Sequence, residues 1–307
     1  MSRLYEALKE ASRNRGKAEG PSRLWEALDI NGIPAAEVPE RAPVERAPAE
    51  SREAAPLPLN GHSVEPAAVE VAAAELEVPA HELGREAEAG LDQHAKLLPY
   101  AVNPTVVDHY RRLRTKILQQ QEAQPFRSLV VTSASPKEGK TITVMNLGLS
   151  FSTLPSFKVL VIDGDLRRGT LGSLLGVDDE QAGLSDLFNG TATLDEVVLK
   201  SDRVPMHFMV RGRDQVRDLH PSHFAGHFQK LSELYDLVLI DSPPVNLLAD
   251  VQLLAANSDA VLLVARAFST TRKSLEKAAQ ELAPFRVIGA VLNAGVTQRS
   301  SRYYGYY

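Results

Sequence analysis

The chain has 307 residues, of which 44% are hydrophobic and 24% charged, with a formal net charge of −5. It has no cysteine, which excludes a disulfide framework and a thiolate zinc site and suits a reducing compartment. Apolar runs stay well short of the roughly 20 residues that a spanning helix needs, and the start, with Glu6, Lys9 and Glu10, does not read as a signal peptide. The expectation is a cytoplasmic protein, any membrane association of which must come through a partner.

Residues 1–30 carry a short echo. Ser2 to Leu8 reads SRLYEAL and Ser22 to Leu28 reads SRLWEAL, so seven positions recur at a spacing of 20 with only Tyr5 exchanged for Trp25. Each copy places Leu4, Tyr5 and Leu8, or Leu24, Trp25 and Leu28, on one side of a short helix with Ser as N-cap. Such helices are too short to stand alone, so they are expected to dock, on a partner's groove or on the chain's own folded domain.

Residues 31–95 read as a linker. From Asn31 to Gly90 there are 15 Ala, 12 Glu, 8 Pro and 4 Arg, without Lys, Asp or any aromatic residue. That composition cannot bury enough apolar surface to offset chain entropy, and its acidic excess makes it self-repelling. Because the excess is larger than that of the whole chain, the folded remainder is slightly basic.

Residues 96–298 form the predicted folded domain. A helix is expected over about Thr105 to Gln120. It is followed by apolar, β-branched runs at Ser128–Ser133, Lys158–Asp163, His207–Val210, Leu237–Asp241, Ala260–Ala265 and Val287–Asn293, with helical stretches between them. This alternation predicts an α/β fold, a P-loop NTPase-like parallel sheet flanked by helices, preceded by a disordered N-terminal arm.

The first of these runs leads into Ala134-Ser135-Pro136-Lys137-Glu138-Gly139-Lys140-Thr141, and a helix starts directly after it. In a strand–loop–helix of this kind backbone amides hold phosphate oxygens at the helix N-terminus, Lys140 neutralises the β and γ phosphates, and the Thr141 hydroxyl binds magnesium. Ser135 to Ile142 are the expected nucleotide-binding residues, and ATP with Mg2+ the expected cofactors. Ala134 stands where the usual loop has its first glycine, and Lys137 where many have a small residue.

The second run ends in Asp163 and Asp165, one residue apart and so on one side of an extended chain. At the C-terminal end of a parallel strand, where α/β sheets bind ligands, one could hold magnesium and the other accept a proton from an attacking hydroxyl. Asp241 closes LVLID in the usual place for the acid that orients magnesium through water.

Residues 299–307 hold four of the chain's eight tyrosines, Tyr303, Tyr304, Tyr306 and Tyr307, interrupted only by Gly305. A phosphoryl donor site and a cluster of phenolic acceptors on one polypeptide point to a kinase that modifies itself.

From about Asn103 onward the chain resembles the bacterial tyrosine kinases of the capsular and exopolysaccharide biosynthesis type. The matching pieces are TSASPKEGKT at Thr132 to Thr141, the Walker A' pattern DGDLR at Asp163 to Arg167, GLSDLFNG at Gly183 to Gly190, the Walker B pattern IDSPP at Ile240 to Pro244, and the terminal tyrosines. The resemblance implies Asp163 as the base for the tyrosine hydroxyl, with Asp165, Asp241 and Thr141 organising magnesium and Lys140 on the phosphates. It also implies a ring-forming ExxRxxR helix, matched here by Asp108, Arg111 and Arg114 with the acid one methylene shorter. Asn293, closing VIGAVLN, falls where related ATPases contact adenine, although it could equally cap the strand.

The family usually has a PAGxxPxNPxELL-like stretch where this chain has Arg211 to Phe228, which could alter a lid over the nucleotide or the substrate groove. A chain without membrane spans resembles the split form of the family. This implies a membrane adaptor of the polysaccharide co-polymerase type, a ring of copies of itself, and a tyrosine phosphatase as partners; no nucleic acid is expected. The expected function is an ATP-dependent tyrosine autokinase acting in trans and regulating polysaccharide polymerisation and export. The competing reading is a partitioning or cell-pole ATPase of the same superfamily, which typically carries a lysine where this chain has Ser135. A third is a binding module that uses ATP only to hold a shape.

Overall fold

Runs of Val, Leu and Ile bounded by polar turns form the strands, because parallel strands covered on both faces need apolar side chains in both directions. In chain order the elements are β1 (His81–Glu82), α1 (Pro104–Ala123), β2 (Ser128–Ser133), α2 (Lys140–Ser152), β3 (Val159–Asp163), α3 (Thr170–Leu175), α4 (Leu184–Asn189), α5 (Leu194–Val197), β4 (Leu199–Lys200), β5 (His207–Met209), α6 (His227–Leu234), β6 (Leu237–Asp241), α7 (Asp250–Ala256), β7 (Ala260–Arg266), α8 (Arg272–Glu281) and β8 (Val287–Asn293). The computed structural model describes residues 80–82, 97, 104–201, 204–213, 220, 224 and 226–295. The two N-terminal repeats, most of residues 31–95 and the tyrosines at 303, 304, 306 and 307 lie outside the described residues.

The strand order is β1-β4-β5-β3-β6-β2-β7-β8. The six strands from β5 to β8 run parallel, while β4 is antiparallel to β5 and β1 is parallel to β4. The six expected strands and the first helix are all present, within a residue or a few at each end. His81–Glu82 falls inside the stretch expected to be a linker, yet the His81 amide donates to the Val198 carbonyl at 2.8 Å. Paired contacts of the domain thus begin before residue 96.

Period-2 alternation divides the core into two layers. Leu129 and Val131 of β2 face α1 and α2 and pack with Leu113, Ile117 and Leu147. Val130 faces the other way, with Phe228, Val251, Leu254, Leu275 and Ala278 from α6, α7 and α8. At about 1.5–3 kcal/mol for each fully buried large aliphatic side chain, these two layers dominate what holds the sheet in place. α2 is buried along most of its length between β3, β6 and α1, and the Tyr110 hydroxyl pins α1 to it through Asn146 and Thr143. A sheet fixed on both faces presents the loops after β2, β3, β6, β7 and β8 along one edge, and the phosphate loop, Asp163, Asp165, Asp241 and Asn293 lie there.

Candidate active site

The loop between β2 and α2 is held from both sides. Gly139 has φ 92°, and a Cβ there would lie 2.0 Å from Asn293 Nδ2, so both conformation and space require glycine. Asn293 Nδ2 donates to the Glu138 carbonyl at 2.9 Å, and its Oδ1 accepts the Ala294 amide at 2.8 Å. The end of β8 is thereby tied to the loop, and the side chain expected beside adenine spends two of its hydrogen bonds on the protein itself. The Glu138 side chain is buried inward, accepting the Ser135 amide at 3.1 Å and the Thr270 hydroxyl at 2.5 Å. Burial raises its pKa, and the hydrogen bonds from Thr270, Ser135 and Ala134 together with the Lys140 charge act against that rise. Ser135 Oγ lies 3.1 Å from Ser274 Oγ on α8. Pro136 and Lys137 are exposed, Lys137 with φ 63°, while Ile142 packs against the core and leaves only its backbone to the site. Lys140 and Thr141 open α2, so its free N-terminal amides and partial positive charge lie at the loop.

The carboxylates meet next to that helix start. Asp163 and Asp241 are register partners at the ends of adjacent parallel strands. Gly164 lets those ends close up: its amide donates to the Asp241 carbonyl at 2.7 Å, and a Cβ would come within 2.9 Å of the same oxygen. Asp163 is fully buried, accepting the Leu171 amide at 2.7 Å and the Asp165 amide at 3.1 Å. Its pKa is pushed up to about 7 by burial and by the neighbouring Asp241 charge, against those two amides. Burial likewise pushes Asp241 to about 6, with the Lys140 charge and the Thr141 hydroxyl opposing. Thr141 Oγ1 donates to Asp241 Oδ2 at 2.5 Å and lies 3.1 Å from Thr170 Oγ1, whereas Asp241 Oδ1 is buried without a partner. A buried carboxylate oxygen left unsatisfied beside the Thr141 hydroxyl is chemistry that suits a hard divalent cation, while among the described residues no three acids or histidines are gathered into a ready-made metal cage. Asp165, 6% exposed, accepts the Arg168 amide at 3.2 Å and forms the outer edge of the group.

The residues expected in ring formation separate. Asp108 and Arg111 pair with each other at 3.5 Å on the exposed face of α1. Arg114 turns inward to the C-terminus of α2, where it donates to the Ser150 carbonyl and, at 2.7 Å, to Thr153 Oγ1. A cation on the last carbonyls of a helix is favourable in itself, which accounts for the inward turn without a second copy.

Three further residues escaped the sequence reading. Thr170 and Thr270 reach the site only through tertiary contact; the one local hint is the helix start STTRKS, where Thr271 caps α8. The third is Asp186 of GLSDLFNG. Its carboxylate accepts the amides of Gly183 at 2.9 Å and Arg213 at 3.0 Å and the Arg213 Nε at 3.0 Å, clasping the start of the atypical 211–228 segment to α4. Burial raises the Asp186 pKa, and these donors outweigh it and leave the group more acidic than usual.

The parallel sheet, the phosphate loop at a helix start and the strand-end acids define a P-loop NTPase-like α/β domain, which binds nucleotide. An AAA domain family model matches residues 137–282. The putative tyrosine-protein kinase AmsA of Erwinia amylovora is 33% identical over 231 residues, which is 73% of this chain and 31% of AmsA. The putative tyrosine-protein kinase CapB of Staphylococcus aureus is 28% identical over 208 residues, 66% of this chain and 90% of CapB. The kinase domain of the Escherichia coli tyrosine kinase ETK superposes with a TM-score of 0.56 at 28% identity, covering 75% of this chain and 93% of that one. The chain therefore spans about a third of the length of AmsA and nearly all of CapB. Over that length it is similar to the bacterial tyrosine kinases. Among the described residues no helix is long and apolar enough to cross a membrane.

Proposed function

We propose that the chain is an ATP-dependent tyrosine autokinase that phosphorylates Tyr303, Tyr304, Tyr306 and Tyr307 of a neighbouring copy. The observation that carries this reading is the pairing of Asp163 with Asp241 beside Thr141 and Lys140, which sets a proton acceptor and a cation-holding acid at the mouth of a phosphate loop. Lys140 neutralises the phosphate oxygens. Thr141, Asp165 and Asp241 are the residues that would hold Mg2+, which when bound would supply charge neutralisation on the transferring group. Asp163 takes the phenolic proton as the phenolic oxygen bonds to the γ phosphorus and the bond to the β–γ bridging oxygen breaks, releasing ADP. Burial raises the Asp163 pKa above the usual carboxylate range, the direction that suits a proton acceptor working near neutral pH. Since Asp163 is fully buried, a local opening must precede the approach of a tyrosine to it.

The same reading gives the kinase a role in regulating capsular or exopolysaccharide polymerisation and export, at the inner face of the membrane. It works there with an adaptor of the polysaccharide co-polymerase type and a tyrosine phosphatase, in a ring of its own copies. Incubation with ATP and magnesium, with and without the adaptor's cytoplasmic segment, should yield phosphotyrosine in the wild type. Lys140→Met, and the variant with all four tail tyrosines changed to Phe, should yield none. Intact ATP hydrolysis without tail phosphate under every condition would replace the kinase with a nucleotide-dependent switch of the partitioning type.

A further inference from the structure

The loop after β7 displays a phenylalanine in a place where burial would be expected. Phe268 is 91% exposed, and among the described residues the other exposed large hydrophobic, Leu247, reaches 59%. Its backbone is also left-handed, φ 60°, a region that a bulky side chain enters only when its surroundings impose it.

Those surroundings can be named. The Arg266 carbonyl accepts the amides of Ser269 at 3.2 Å and Thr270 at 3.0 Å, and the Arg266 amide donates to Thr270 Oγ1 at 2.8 Å. The Thr270 hydroxyl donates in turn to Glu138 of the phosphate loop. On the other flank the Ala267 amide donates to the Asn293 carbonyl at 2.8 Å, and Asn293 bonds the Glu138 carbonyl. The chain on either side of Phe268 is therefore fixed, Ala267 to the end of β8 and Thr270 to the phosphate loop, and the ring is left to solvent.

The direction of a bound nucleotide follows from the sheet. β2 lies between β6 and β7. The acids that serve phosphoryl transfer, Asp163 and Asp241, are on the β3–β6 side, so the γ phosphate points that way. The nucleoside must then leave the loop on the β7–β8 side, where Asn293 and Phe268 stand. A purine leaving the loop there needs a flat apolar surface, and an aromatic ring held by its backbone supplies one at little entropic cost.

We propose that Phe268 stacks on the adenine base and selects nucleotide over bare phosphate, a role that rests on the nucleotide-site reading above. Its test uses the full chain. Trp25 is the chain's one tryptophan, so Trp25→Phe combined with Phe268→Trp leaves a single indole at the proposed base site. ADP should change that fluorescence saturably and inorganic triphosphate should not. In the otherwise wild-type chain, Phe268→Ala should weaken ADP roughly tenfold, at the scale of a lost base–aromatic stack, and leave triphosphate affinity unchanged.

Lys140→Met, which removes the phosphate contact, should lose both ligands and so separates the two readings. Equal ADP affinity in Phe268→Ala would overturn the stacking role. Parallel loss of triphosphate would do so too, by showing a loop that has simply lost its shape. A fall in oligomer mass with ADP affinity intact would reassign the ring to a contact between copies. A wild-type chain that binds neither ligand would remove the nucleotide reading and the stacking role together.

Discussion

Asp163 and Asp241 are costly residues for the metal-free chain, since two acids lie side by side without solvent. Both pKa values are raised, from 3.8 to about 7 and about 6. Between pH 4 and those values the folded chain holds protons that the unfolded chain has released, so stability falls as pH rises across this window and is not recovered above it. Asp241→Asn removes one charge and the repulsion it exerts on Asp163. In the absence of metal and nucleotide, the thermal midpoint of Asp241→Asn should exceed wild type by several degrees at pH 8, with the gap closing toward pH 4. Phosphotransfer should be lost in the same variant. A midpoint difference that is the same at both pH values would show that the acids do not repel through the fold as described. The stability gained by disabling the site would mark the strain as functional.

At the scale of elements, two clasps carry distinct expectations. Asp186 ties α4 to the segment beginning at Arg211, and Gly212 fits only because it has no side chain: a Cβ would lie 2.3 Å from Ser185 Oγ. Asp186→Ala leaves two backbone amides and the Arg213 guanidinium without their acceptor. It should destabilise the domain by about 1–3 kcal/mol and expose residues 211–228 to limited proteolysis sooner than wild type. Arg114 and Arg111 should separate in the same way as their geometry. Arg114→Ala is expected to lower the thermal midpoint even in dilute monomer, through loss of the α2 cap. Arg111→Ala should leave that midpoint unchanged and act, if anywhere, on sedimentation.

These same elements show what could be read from the chain. The six long strands and the strand-end acids were legible because a buried parallel strand is a nearly unbroken apolar run and a polar residue at its end stands out. β1 and β4, two residues each, have no periodicity to detect. The roles of Arg114 and Thr270 were hidden for another reason. Arg114 looks like part of a charged surface motif, and only the meeting of α1 with the end of α2 turns it inward; Thr270 bonds a residue 132 positions away. The left-handed backbone of Phe268 leaves no mark in composition at all.

For the whole molecule the deciding quantity is charge carried by the tail. In residues 299–307 the only charged side chains are Arg299 and Arg302, both positive, whereas the site that would receive the tyrosines is lined by Asp163, Asp165 and Asp241. Approach of an unmodified tail is therefore favourable. Each phosphotyrosine adds about −1.5 to −2 near neutral pH, so two modifications already outweigh both arginines and four reverse the sign strongly. A tail that is drawn in as substrate should be expelled as product, and copies that met through it should separate. Sedimentation of the chain bearing zero to four phosphates should show a stepwise loss of mass. The steps should be largest at low ionic strength and blunted at high salt, where the screening length falls from about 10 Å at 0.1 M to about 3 Å at 1 M. The variant with four Phe should keep its mass after incubation with ATP. If fully phosphorylated chain sedimented as the unmodified one does at low salt, the tail would be a substrate without being a switch.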